Sequence, residues 1–173
     1  MKILKALYKL IKPYAEDYKV YLPYQNNPID LKNGYITFYE IGRTNIINRQ
    51  EECNADESRT TITVDEVDIQ INFHKYIDYA VDDVSKKSCS TMCSYINTLL
   101  QSRYAYEELN RDDFELANVF SVVSINGQYD ENQKWIQSCN FKIKIYEENK
   151  FSTNTTLLEN VELNKTEAIK CQD

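Results

Sequence analysis

Apolar residues recur every three or four positions at the start of the chain. Ile3, Leu7, Leu10 and Ile11 form one stripe over residues 2–12, and Lys2, Lys5, Lys9 and Lys12 take most of the rest. That spacing predicts an amphipathic helix, with Pro13 setting a boundary near Lys12. A basic amphipathic helix can lie on a membrane, but this one is short for that, and packing onto a sheet is expected. The period then changes to two. Lys19 to Leu22 reads as a short edge strand, and Pro23 opens a polar loop that Gly34 punctuates. Tyr35 to Ile41 reads as a strand, with Tyr35, Thr37 and Tyr39 opposite Ile36, Phe38 and Ile41 after a disturbance near Glu40. Gly42 to Arg59 is mostly polar. It is either a long loop or a hairpin extension in which Ile46 and Ile47 make one local contact.

A long strand follows, from about Thr60 to Lys75. Its alternation slips: Ile62 and Val64 share one parity, and Val67, Ile69, Ile71 and Phe73 the other. An extra residue at Asp65-Glu66 would make a bulge there and turn the second half to a new surface. Tyr76 to Ala80 is a joint. Asp82 or Asp83 is the expected cap of a helix running to about Leu100, and Ser102 that of a second, short helix containing Tyr104 to Leu109. Asn118 to Asn126 reads as a strand whose mixed apolar faces predict a central position, and Asn126-Gly127 is a turn signal. Trp135 to Glu147 reads as the last strand, with Phe141, Ile143 and Ile145 inward and Lys142, Lys144 and Tyr146 outward. Residues 149–173 are rich in Asn, Thr and Glu, anchored by Leu157, Leu158, Val161 and Leu163. This order predicts an α+β fold, a mainly antiparallel sheet with helices packed on one face. The expected organisation is one domain over residues 1–150, with an extended loop at 42–59, and a C-terminal tail over 151–173.

Charge and composition narrow the function. At 20.4 kDa and 42% hydrophobic residues, the chain has material for a real core. Its net charge of −7 argues against a chain-wide nucleic-acid-binding surface, but not against a protein that surrounds DNA without gripping it. The fourteen tyrosines suit subunit interfaces, and equally an AT-rich coding sequence. No apolar run approaches the ~20 residues that span a bilayer, and the N-terminus lacks a secretory pattern. Cytoplasmic synthesis is expected, which makes the sequons at Asn154 and Asn164 chance matches. Five scattered cysteines, Cys53, Cys89, Cys93, Cys139 and Cys171, argue against a disulfide framework and for small buried thiols.

Catalysis needs converging groups, and few are on offer. The single histidine, His74, ends the long strand and reads as structural. Asp65, Glu66 and Asp68 have the composition of a two-carboxylate metal site. However, Glu66 and Asp68 fall where an exposed strand face should be polar. Asp112-Asp113 reads as a cap or turn. There is no phosphate-binding glycine loop and no nucleophile elbow, so no cofactor is expected. Arg43, Arg49 and Arg59 flank the acid-rich 42–59 segment and suit salt bridges between subunits. The lack of a chemical site shifts weight toward an assembly protein.

Residues 61–147 resemble the neck or tail terminator proteins of tailed bacteriophages. The resemblance is one of order: VDIQINFHKY leads toward the helical AVDDVSKKSCSTMCSYINTLL, then come SRYAYEELNRDDF, ANVFSVVSINGQYD and NQKWIQSCNFKIKIYEE. Asp68, Gln70, Asn72, Phe73 and Tyr76 are similar to the family's first-strand segment, and Trp135 matches the aromatic residue that opens its last strand. His74 and Lys75 replace the usual small turn residues, and Gln137, Ser138 and Cys139 replace arginines. The resemblance implies a non-enzymatic virion protein. Its subunits form a hexameric ring that caps the head-proximal end of the tail tube and meets the connector, with DNA in the lumen. It further implies homo-oligomer, tail-tube and connector partners and no membrane. Under it, Asp65, Glu66, Asp68, Gln70 and Asn72 line a subunit contact or the lumen, and Arg43, Arg49, Arg59 and Trp135 are interface candidates. The alternatives are a head–tail adaptor or tube subunit of the same particle, a soluble partner-binding protein, or a small metal-dependent enzyme.

Overall fold

The computed structural model describes residues 2–23, 33–53, 58–77, 88–129 and 135–154. In chain order they form α1 (Lys2–Ile11), a 3-10 turn (Lys12–Tyr14), β1 (Lys19–Tyr21), β2 (Tyr35–Cys53) and β3 (Ser58–Ile77). Then come α2 (Cys89–Leu100), α3 (Arg103–Arg111), β4 (Phe114–Val119), β5 (Val123–Tyr129) and β6 (Trp135–Asn154). The fold is α+β. The hydrogen-bonded strand order is β1-β2-β3-β6-β4, and β5 also pairs with β6. β1 lies parallel to β2, whereas β4 and β5 are antiparallel to β6.

The chain divides into two compact units, residues 1–44 with 66–147 and residues 45–65 with 148–173. The first unit holds the core. Because successive strand residues face opposite ways, Ile36 and Phe38, then Val67, Ile69, Ile71 and Phe73, then Cys139, Phe141, Ile143 and Ile145 all reach one side of the sheet. There they meet the apolar faces of the three helices. Phe73 and Phe141 stack with centroids 5.9 Å apart. In α1, Ile3, Leu7 and Ile11 are fully buried and Lys2, Lys5 and Lys9 stay in water, as the period requires. Each large apolar side chain so buried contributes about 1.5–3 kcal/mol.

Serine hydroxyls start the second and third helices. Ser88 accepts from the Thr91 N–H and Ser102 from the Ala105 N–H. Ser102 is the expected cap. For α2 the cap is Ser88 rather than Asp82 or Asp83, which lie with Val84 and the end of the preceding joint outside the described residues. The expected strand over 118–126 is two strands broken at Phe120 to Val122. Nor is it central. β4 ends the strand order, and Phe120 and Val123 are 41% and 56% exposed, so their apolar side chains belong to an edge. Asn126-Gly127 does not make the turn. It lies within β5, where two residues of β5, Asn126 and Gly127, pass against one of β6, Gln137, so the glycine sits at a bulge.

The second unit, where described, consists of the continuations of β2, β3 and β6 over residues 45–53, 58–65 and 148–154. The 42–59 segment is therefore strand over 42–53 and from Ser58, not loop. Ile62 is buried at 4% exposure, whereas Ile46, Ile47 and Phe151 are 46%, 46% and 60% exposed. Ile46 and Ile47 are consecutive on one strand, so both of its faces present an apolar side chain. The tail anchors Leu157, Leu158, Val161 and Leu163 lie outside the described residues.

The slip in the long strand has a different basis from the expected bulge. β3 is continuous from Ser58 to Ile77. Asp65 accepts from Asn45 at 2.9 Å, and Asp68 lies 3.5 Å from where a Cβ on Gly42 would stand. Three steps along β2 match three steps back along β3, so no residue is inserted at Asp65-Glu66. What changes is the buried side: Ile62 on one parity, Val67 to Phe73 on the other. The boundary between the units falls between Asp65 and Glu66. The inserted residue is in β2. Tyr35 stacks on His74, odd on even, yet Gly42 meets Asp68, even on even. β3 alternates regularly from Val67 to Phe73, so β2 gains one residue between Tyr35 and Gly42. Glu40 and Arg43 pair at 2.8 Å, which residues three apart on a regular strand cannot do, since they face opposite ways. This is the disturbance expected near Glu40.

Candidate functional site

The sheet face turned away from the helices is polar. Glu66, Asp68, Gln70, Asn72 and His74 lie along it on β3, with Ser138, Asn140, Lys142, Lys144 and Tyr146 beside them on β6. Contacts between these residues hold the row. Lys144 donates to Glu66 at 2.7 Å, Gln70 donates to Asn72 at 2.7 Å, and His74 Nδ1 and Ser138 Oγ share a hydrogen bond of 2.7 Å. Tyr35 stacks on the imidazole with centroids 4.8 Å apart. Burial holds His74 below its usual pKa. The hydrogen bond to Glu66, then the charges of Glu66 and Asp68, raise that of Lys144. Asn72 and Ser138 are buried despite their polarity, which the lateral bonding of this row makes tolerable, and Asn140 is buried beside them. Thr37 Oγ1 is buried with no hydrogen-bond partner among the described residues.

The structure brings together Glu66, Asp68, Gln70 and Asn72 of the residues singled out from sequence, and separates the others. Asp65 faces away from Glu66 and bonds Asn45 instead, so the three carboxylates do not converge as a metal site requires. Among the described residues no group of three or more His, Cys, Asp and Glu is placed to hold a metal. Arg43 is on the helix side of the sheet, at the margin of the core. It donates to Glu40 at 2.8 Å and to the largely buried Glu147 at 2.7 Å. Arg49 is exposed on β2, and the side chain of Arg59 lies outside the described residues. Trp135 opens β6, packs over Gly127 and meets Tyr129 edge-on at 4.9 Å.

Sequence reasoning missed Glu40 and Glu147 as partners of Arg43, and Ser138 and Tyr35 as partners of His74. Parity placed Lys144 outward, but no local pattern reports the register that sets it against Glu66. Cys89, Cys93 and Cys139 are buried thiols outside any disulfide, Cys89 Sγ lies 3.2 Å from the Phe73 carbonyl, and burial pushes the Cys93 thiol up to about 12, which disfavours the reactive thiolate. Cys171 and the side chain of Cys53 lie outside the described residues. No described helix is long and apolar enough to cross a membrane.

The arrangement combines paired charges, a buried polar row and apolar side chains exposed on strands. Among curated proteins, no relative matches the chain. A family model described as phage neck terminator protein matches residues 1–170, all but the last three. The chain therefore belongs to the phage neck terminator family, and with it to the structural proteins of the phage tail and neck.

Proposed function

We propose that this chain is a non-enzymatic ring subunit that ends tail-tube polymerisation at the head-proximal end and joins the tail to the neck connector. Six copies surround a lumen through which DNA passes without sequence-specific contact. The family match over residues 1–170 carries this reading. It is supported by Ile41, Ile46, Ile47 and Phe151, about half exposed on long strands, where a neighbouring subunit would remove them from water. The mechanism is geometric: one face complements the last tube ring, and the other accepts the connector but not another ring. Glu66, Asp68, Gln70 and Asn72 then line the lumen or a subunit contact, where paired, net-acidic side chains do not hold phosphate. Arg43, Arg49, Arg59, Asp65 and Trp135 are assigned to contacts with neighbours, and residues 151–173 to the surface of the next subunit.

A density map of the assembled particle tests this. One ring of six copies between tube and connector is the expected result. Twelve copies on the portal, or repeated rings along the tail, would replace it with an adaptor or a tube subunit.

A further inference from the structure

α1 and the 3-10 turn that continues it carry four lysines and no acid. Lys2, Lys5, Lys9 and Lys12 are all exposed, and their spacing puts them on one side of the helix over about 15 Å. Lys12 stands over the Tyr8 ring at 5.1 Å. No acid lies against Lys2, Lys5 or Lys9 among the described residues. Most other described cations are matched: Arg43 with Glu40 and Glu147, Arg103 with Glu107, Arg111 with Glu108, Lys144 with Glu66, Lys150 with Glu148. An unneutralised lysine stripe is thus an exception in a chain of net charge −7. The apolar side of α1 is already inside the core, which leaves only the lysines to meet a partner.

The complementary exception is at the corner from α3 into β4. Asp112, Asp113 and Glu115 are exposed, and no cation lies against them among the described residues. Asp113 has φ 65, a left-handed turn residue that brings the strand round directly after the helix. The two patches lie on different elements of the same unit. α1 packs against β1, at one end of the strand order, and Glu115 is in β4, at the other. α1 also packs against α3, yet none of these acids reaches a lysine of α1 within the molecule.

We infer that the α1 lysine stripe of one copy docks on the acidic α3–β4 corner of the next copy, head to tail. Two unlike patches on one chain give a heterologous contact, the kind that closes into a ring. The inference rests on the ring reading above and names its interface. The charges are exposed, so salt screens the contact and like charges across it repel.

The test couples full-length chain, mixed from isotope-labelled and unlabelled copies, with a zero-length carbodiimide reagent, alone and on tail tubes. The expected links join Lys2, Lys5 or Lys9 of one copy to Asp112, Asp113 or Glu115 of another. The triple variant K2E/K5E/K9E should lower ring yield at least about tenfold, as should D112K/D113K/E115K, and both sets in one chain should restore it. Unchanged circular dichroism and thermal midpoints show that the variants fold. Rings that form with links elsewhere, or that survive either reversal, overturn the inference and leave the ring reading standing. The inference also falls if the lysine reversal abolishes co-sedimentation with duplex DNA while rings persist. Chains that never assemble, alone or on tubes, overturn both.

Discussion

Trp135 is the single tryptophan, and its indole lies over the backbone of Gly127, with Cζ2 and Nε1 2.5 Å from where a Cβ would be. Gly127→Ala must push the ring aside. A loss of about 1–3 kcal/mol is expected, with a shift in tryptophan emission, which this one residue reports without background. Gly34 is constrained in two ways: its φ is +84, and a Cβ would fall 2.6 Å from the Tyr18 ring. His74 gives a pH test. Burial lowers its pKa in the folded chain, while the unfolded chain keeps the ordinary value near 6.5. The unfolded state therefore binds the proton first, and stability falls as pH drops below about 6.5, levelling once the folded value is passed. Urea midpoints measured across that window should slope with pH in the parent and lose the slope in His74→Gln. Arg43 gives a third. Glu147 retains 11% side-chain exposure and takes Arg43 as an ion-pair partner, so Arg43→Met leaves a largely buried carboxylate short of that partner. About 1–2 kcal/mol should be lost, discounted because the guanidinium is itself a third exposed.

At the scale of elements, caps and strand irregularities decide where things begin. Ser102 joins two helices: its hydroxyl accepts from Ala105 N–H at 3.3 Å and donates to the Leu99 carbonyl at 2.6 Å. Ser102→Ala should cost about 1 kcal/mol, read as a lower thermal midpoint. The α1 stripe, the Ser102 cap and the inward row of β6 were legible because each is a local periodicity or a local hydrogen bond. The start of α2 was not, since Asp82, Asp83 and Ser88 are all chemically able to cap and only packing selects among them. The irregularity near Glu40 was legible in β2, but the slip at Asp65-Glu66 was misread as a bulge. Parity along one strand reports which side is buried, and it cannot distinguish an inserted residue from a change of burial side. Only the contacts of Gly42 and Asn45 with β3 separate the two.

At the scale of the molecule, the exposed apolar positions of the second unit bear on assembly rather than on folding. Ile46→Asp and Ile47→Asp should each cost the isolated chain only about 1 kcal/mol, since both side chains are half exposed and Asp is a poorer strand former than Ile. Incorporation into particles, measured by quantitative mass spectrometry, should fall sharply. Equal incorporation of the variants would show that these side chains meet no neighbour. The mixed polar and apolar character of residues 42–59 left a loop and a hairpin extension both open, and the structure takes the strands of the second. A strand exposed on both faces has no alternation to display, and polarity alone reads as loop.

The sequence by itself determined the α+β class, the apolar rows that make the core, the helix-side and outward parities of β3 and β6, and the resemblance to terminator proteins. All of these are carried by periodicity and element order, which neighbouring residues impose on one another. Tertiary structure alone decided which residues meet: Glu66 with Lys144, His74 with Ser138 and Tyr35, and Arg43 with Glu147. Those pairings depend on register between strands distant in the chain, and a shift of one residue in β2 or β6 would have exchanged every one of them.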